Sequence, residues 1–201
     1  MRKVTVFVMW MVGGLILLAS AARGAIVTFV GGTDTVGISS PATVAVTVND
    51  FTDVVGFQFT IEWDPSVVQY SSVGNFGLDF LTAGSFGTTE VGSGFLTVAW
   101  FDNDLINQTL VNASTLFDIN FTSANAPGST DISFTGSRAP MEVNTFVDPD
   151  FLPLDFGVLN GSVTVVPEPL NKALGLFACC FVAAMTARWI FNGHSRAVQA
   201  I

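Results

Sequence analysis

The chain has 201 residues, 16 of them acidic and 7 basic, for a formal net charge of −9. That length suits one domain with appendages. An acidic surface repels nucleic acid and anionic membrane surfaces, whose binding rests on Lys and Arg meeting phosphate.

Residues 1–24 read as a secretory signal peptide. Arg2 and Lys3 form a positive start, and Val4 to Leu18 is an uncharged apolar run. Both Ser20-Ala21-Ala22 and Ala22-Arg23-Gly24 offer small residues at the −3 and −1 positions of a cleavage site. The alternative, a retained membrane anchor, fits a short run that ends in small residues less well.

Residues 25–166 then form the mature body. It holds every acidic residue except Glu168 and a single basic residue, Arg138. It has no cysteine, and a domain of this size buries enough apolar surface to fold without disulfides. The body reads as strands. In "ATVAVTV" (42–48), Val44, Val46 and Val48 share a face; in "GFQFTIEWD" (56–64), Phe57, Phe59, Ile61 and Trp63 alternate with Gln58, Thr60 and Glu62. That is the period-two signature of a strand with one buried face. "GFLTVAWFD" (94–102) is apolar on both faces, as a central strand or a sticky exposed one would be. "TLFDINFT" (115–122) alternates in two phases, once through Leu116 and again through Phe117, Ile119 and Phe121. "TDISFTG" (130–136) and "NGSVTVV" (160–166) complete the set, with turns at Asn49-Asp50, Asp64-Pro65, Ala126-Pro127-Gly128 and Asn160-Gly161. No amphipathic helix interrupts them. Short, evenly spaced strands rich in Phe, Val and Thr indicate an all-β, two-sheet sandwich.

Catalytic signatures are absent. His194, the one histidine, lies in the C-terminal tail, so the body has no Ser-His-Asp or Cys-His arrangement. No phosphate-cradling Gly-Lys-Ser/Thr loop occurs, and no carboxylate pair stands out for hydrolysis. The body reads as non-enzymatic. Asp102-Asn103-Asp104 and Asp148-Pro149-Asp150 carry oxygen ligands suited to calcium, but neither has the spacing of a calcium loop. No resident metal or cofactor is expected; calcium would be carried by a partner or by these acidic loops. Asn107, Asn112, Asn120 and Asn160 match a glycosylation pattern that is common by chance. Cys179 and Cys180 are adjacent in a C-terminal apolar run, with no further ligand nearby in sequence for a metal.

The stretch "TVAVTVNDFTDVVGFQFTIEWDPSVVQYSSV" resembles the cohesin domain family, in which a strand ends in an aromatic residue followed by Asp-Pro, any two residues and Leu or Val. "GFLTVAWFDND", "TLFDINFTSANAPGSTDISFTG" and the closing "LNGSVTV" continue the likeness, which covers roughly residues 26 to 166. Proline cannot continue a ladder, so Pro65 ends its strand. The resemblance implies a jelly-roll sandwich of about nine strands that docks protein partners. One sheet face receives a dockerin, a small calcium-loaded helical module borne by a secreted protein such as a polysaccharide-degrading enzyme. By strand position that face would include Gln58, Thr60, Glu62, Thr97, Ala99, Ser133 and Thr135. Two other readings stay open: a carbohydrate-binding module on the same fold, acting on exopolysaccharide, and a structural component of envelope or matrix. Sugar binding needs exposed aromatics; the outward side of "GFQFTIEW" has none, and Trp100 and Phe101 are the residues that would supply them.

Residues 167–191 close the chain with Pro167-Glu168-Pro169, an uncharged apolar run over 173–187, and Arg188. The two prolines break the sheet. The run is just able to cross a bilayer. This order resembles the PEP-CTERM sorting signal of Gram-negative bacteria. It implies anchoring in the inner membrane, processing by an exosortase-type membrane protease, and a destination at the cell surface or matrix. A plain C-terminal anchor is the alternative. The tail of residues 192–201 and Lys172, on the outward side of the run, depart from that pattern.

Overall fold

The computed structural model describes residues 26–167 together with Cys180 and Phe181. The signal peptide and most of the sorting signal, including Glu168, Pro169 and Arg188, lie outside the described residues. Between Ile26 and Pro167 the chain is almost entirely strand: β1 (Val27–Gly31), β2 (Thr33–Gly37), β3 (Pro41–Asn49), β4 (Gly56–Glu62), β5 (Val68–Gly74), β6 (Phe86–Gly87), β7 (Phe95–Phe101), β8 (Ser114–Ser123), β9 (Gly128–Thr135), β10 (Glu142–Val147), β11 (Asp150–Pro153), β12 (Phe156–Leu159) and β13 (Gly161–Val166). Single 3-10 turns at Ala83–Ser85 and Val91–Ser93 are the only helical pieces of this segment.

The strands make two sheets. The smaller has the order β12-β1-β3-β8-β5. The larger runs β11-β10-β4-β9-β13-β2, with β7 on the other side of β4 and β6 outside β7. β4 is the hub of the larger sheet. It pairs along its whole length with β7 on one side; on the other, its first half pairs with β10 and its second half with β9.

The count exceeds the nine strands that the resemblance implies, because several strands are short or divided. β1 and β2 are nearly one strand that changes sheets at Gly31-Gly32: β1 pairs β3 in one sheet, and β2 pairs β13 in the other. The crossing brings two backbones together, and a Cβ at Gly161 would lie 2.2 Å from the Gly32 carbonyl oxygen. Only glycine fits such an approach.

The period-two patterns resolve as expected. Val44, Val46 and Val48 of β3 are fully buried, as are Phe59 and Ile61 of β4. The two phases of β8 have a local cause. The register with β3 slips between Val46 and Thr47, so Leu116 and Phe117 both turn inward. That is a β-bulge, which places two consecutive residues against one. After β4 the chain leaves the sheet at Asp64, whose carboxylate accepts the Ser66 N–H at 2.8 Å. Its own N–H donates to Thr130 Oγ1 at 2.8 Å.

The core is aromatic and joins the sheets. Phe29 of the smaller sheet meets Phe59 and Phe57 of the larger at 4.9 and 5.4 Å between ring centroids, edge to face. Phe134 meets Phe59 at 5.3 Å. Trp100 points inward against Phe57, its indole N–H donating to the Asp79 carbonyl at 2.8 Å. Every strand pairing and every core residue described falls within residues 27–166, so this segment carries its own core and folds as a unit.

Candidate functional site

Alternation puts one set of side chains on the outer face of the larger sheet, and the register sets them in rungs. Across β7, β4 and the β9/β10 side the rungs are Phe95–Glu62–Ser133, Thr97–Thr60–Thr135, Ala99–Gln58–Glu142 and Phe101–Gly56–Asn144. Beyond β10, Asn144 faces Pro153 and Phe146 faces Phe151 on β11. All the residues assigned to a docking face from the sequence therefore share one side of the larger sheet.

They are not equally available. Gln58, Glu62, Thr97, Ser133 and Thr135 are half-buried and Ala99 is exposed, but Thr60 is fully buried. The expectation that Thr60 presents its side chain to a partner is corrected here. Between β9 and β10 the chain leaves the sheet and crosses the face over residues 136–141. The Thr60 hydroxyl accepts the backbone N–H of Arg138 at 3.1 Å and of Ala139 at 2.9 Å. A threonine at an outward position thus anchors a crossing loop.

The loop carries the single basic residue of the body. Arg138 lies over the Phe95 ring, 4.2 Å from its centroid, and donates from Nε to Glu90 Oε2 at 2.7 Å. The Thr135 hydroxyl donates to Glu62. The Ser137 and Thr135 hydroxyls, with the Arg138 guanidinium a smaller influence, hold the Glu62 carboxyl below its ordinary range. The sign follows directly. The folded-state pKa is depressed, so this stabilisation is present above the ordinary value of 4.5 and is lost as pH falls through the folded-state value. We expect wild type and Glu62→Gln to differ in thermal midpoint at neutral pH and to converge in strong acid. A difference that persists unchanged at pH about 3 would assign the effect to shape.

At the far end of the face, sequence reasoning missed a cluster. Phe101, exposed at the end of β7, meets Phe151 at 5.6 Å, and Phe151 meets Phe146 at 5.1 Å. Val147 and Leu152 are also exposed, on the other side of the same hairpin. The signal was present as the near-symmetric "TFVDPDFL", a turn flanked by Phe. Its Asp148-Pro149 is the tight turn of the β10–β11 hairpin, closed by the pairing of Val147 with Asp150. The other acidic motif is also structural. Asp102 is buried, its carboxylate accepting the Asp104 N–H at 2.9 Å and the Gln108 side-chain amide. Among the described residues, no group of His, Cys, Asp or Glu side chains converges on a common point that could hold a metal.

Comparison with known proteins places this geometry. The family model for the cohesin domain matches residues 28–142. No curated protein matches the chain. Solved structures do. The seventh ScaB type I cohesin of Pseudobacteroides cellulosolvens is 15% identical at a TM-score of 0.59, over 72% of this chain and 94% of its own. A non-cellulosomal cohesin of the archaeon Archaeoglobus fulgidus is 16% identical at 0.56, over 74% and 97%. The sixth cohesin of scaffoldin B of Acetivibrio cellulolyticus, solved in complex with a dockerin, is 20% identical at 0.56, over 71% and 100%. At such identities the likeness is one of fold; the family-model match, which takes in more than half of the residues, makes the chain a member of the cohesin family.

Proposed function

We propose that this protein is a non-catalytic docking module whose outer face on β4, β7, β9 and β10 receives a dockerin-type module of a secreted protein. The observation that carries this reading is the four-rung face itself: broad, braced by a crossing loop, and ending in an exposed apolar cluster of the kind that marks a protein contact. The dockerin bound to the scaffoldin cohesin supplies the partner class. The protein would be exported through the segment 1–24 and held or sorted by the tail from Pro167, with an exosortase-type protease as processing partner.

Topology supports that arrangement. β13 ends at Val166 beside Gly37 of β2, at the end of the sheet where β4 finishes. The Phe101 cluster lies at the opposite end, where β4 begins. A body tethered by its C-terminus would hold the cluster away from the tether.

The exposed phenylalanines also give a polysaccharide-binding reading some footing. Their rings, however, are inclined to one another by 56° and 44°. They form an interlocked knob, whereas sugar rings need a flat platform. The test is retention on immobilised residues 26–166 of purified calcium-loaded dockerins and, separately, of matrix polysaccharide, each with and without chelator. A dockerin held only with calcium is the expected result. Polysaccharide held regardless of chelator, with no dockerin retained, would overturn the reading in favour of a sugar-binding module.

A further inference from the structure

The outer face carries one chemical pairing at two places, an aromatic ring on β7 beside a carboxylate. At the Phe95 end, the pair of Phe95 and Glu90 holds Arg138, the guanidinium stacked on the ring and bonded to the carboxylate. At the other end of β7, Phe101 and Glu142 line one open recess together with Gly56, Gln58, Ala99 and Asn144. Its shape follows from the rungs. Gly56 has no side chain, so the Phe101 ring leans over it, where a Cβ would lie 3.2 Å from Phe101 Cδ2; the short Ala99 beside Gln58 leaves a low floor between this aromatic wall and the acidic one. Glu142 is exposed, and Gln58 Nε2 donates to its Oε2 at 3.1 Å, which fixes the carboxylate beside the recess.

The protein's own body has nothing to put there. Arg138 is the single Lys or Arg between Ile26 and Pro167, and it is engaged at the opposite end of the face. Charge complementarity therefore asks for a cation from outside. The wall of Phe101 favours a planar guanidinium, which stacks, over a compact ammonium.

We propose that this recess is a specificity pocket for an arginine side chain of the docked partner. The stem lies along Ala99 and Phe101, the guanidinium bonds Glu142, and apolar neighbours of that arginine cover Phe146 and Phe151. The pocket reproduces in the complex the pairing that Arg138 makes within the chain. The proposal rests on the docking reading of this face and names the partner chemistry that the face selects.

The test uses the peptide acetyl-Leu-Arg-Leu-amide as probe, titrated into isotope-labelled residues 26–166 at low salt and followed by amide chemical shifts. Shifts should concentrate at Gly56, Ala99, Phe101 and Asn144. They should vanish with citrulline in place of arginine, which keeps the shape and removes the charge. Glu142→Gln should weaken binding about tenfold, and Phe101→Ala, an exposed position, by a similar factor. Shifts spread evenly over the acidic surface, or equal binding of the citrulline peptide, would overturn the pocket. A parallel arm separates this proposal from the docking reading. Dockerins retained equally by wild type and Glu142→Gln, with no localised peptide shifts, sink the pocket and leave the docking reading standing. Localised peptide binding with no dockerin retained keeps the arginine pocket and removes the dockerin as its partner.

Discussion

Phe59→Ala should lower the thermal midpoint of the body by about 10–15 °C, the equivalent of about 3–5 kcal/mol. Phe59 is 1% exposed and sits where three strands meet. It touches Phe29 across the interlayer gap, Phe57 two residues along β4, and Phe134 on β9. Truncation removes the ring and leaves a cavity that neighbours held in two sheets cannot collapse to fill. Phe59→Leu, which keeps most of the volume, should cost less than half as much. Because Phe29 fills the other side of the same contact, Phe29→Ala and Phe59→Ala together should cost less than the sum of the two singly. Urea or thermal unfolding of residues 26–166 measures all three. A loss below about 1 kcal/mol for Phe59→Ala would mean that the two layers are joined elsewhere.

That core was legible because burial imposes a strict rule on strands. Val44, Val46 and Val48, and Phe57, Phe59, Ile61 and Trp63, recur at every second position and all lie inside. Where the pattern bent, a bulge was the cause, as at Leu116 and Phe117. Short strands were not legible. β6 spans two residues and β11 four, too few to show a period. β10 and β11 alternate weakly because they flank a hairpin largely open to solvent. The face itself was legible as a set of outward positions, since alternation fixes which residues point away from the core. What crosses over that face was not. Alternation says where Thr60 points, but the loop that bonds to it comes from residues 136–141, nearly eighty positions along the chain. The Phe101–Phe146–Phe151 cluster escaped for the same reason: its members meet only once β7, β10 and β11 are placed.

Thr60→Val tests that hidden contact, and we expect it to disturb both the stability and the docking face. Valine has nearly the shape of threonine and fills the same space, so packing hardly changes. The hydroxyl alone is lost, and with it the acceptor for the Arg138 and Ala139 amides. A donor left without a partner at a buried position costs about 1–3 kcal/mol, so two of them set the loss at about 2–6 kcal/mol unless the loop lifts to reach water. Either route releases the 136–141 segment. Lifting carries Arg138 away from Phe95 and Glu90, which removes the brace over half of the face. Thr60→Ser keeps the acceptor and should retain both stability and loop placement to within about 1 kcal/mol. Hydrogen exchange reads the effect directly. In Thr60→Val the Arg138 and Ala139 amides should exchange much faster than in wild type, while those of β3 and β8 hold their order. Dockerin retention should fall with them if the crossing loop shapes the docking surface. Unchanged protection at Arg138 and Ala139 would show that the loop is held by its flanking strands, and Thr60 would then be an ordinary buried threonine.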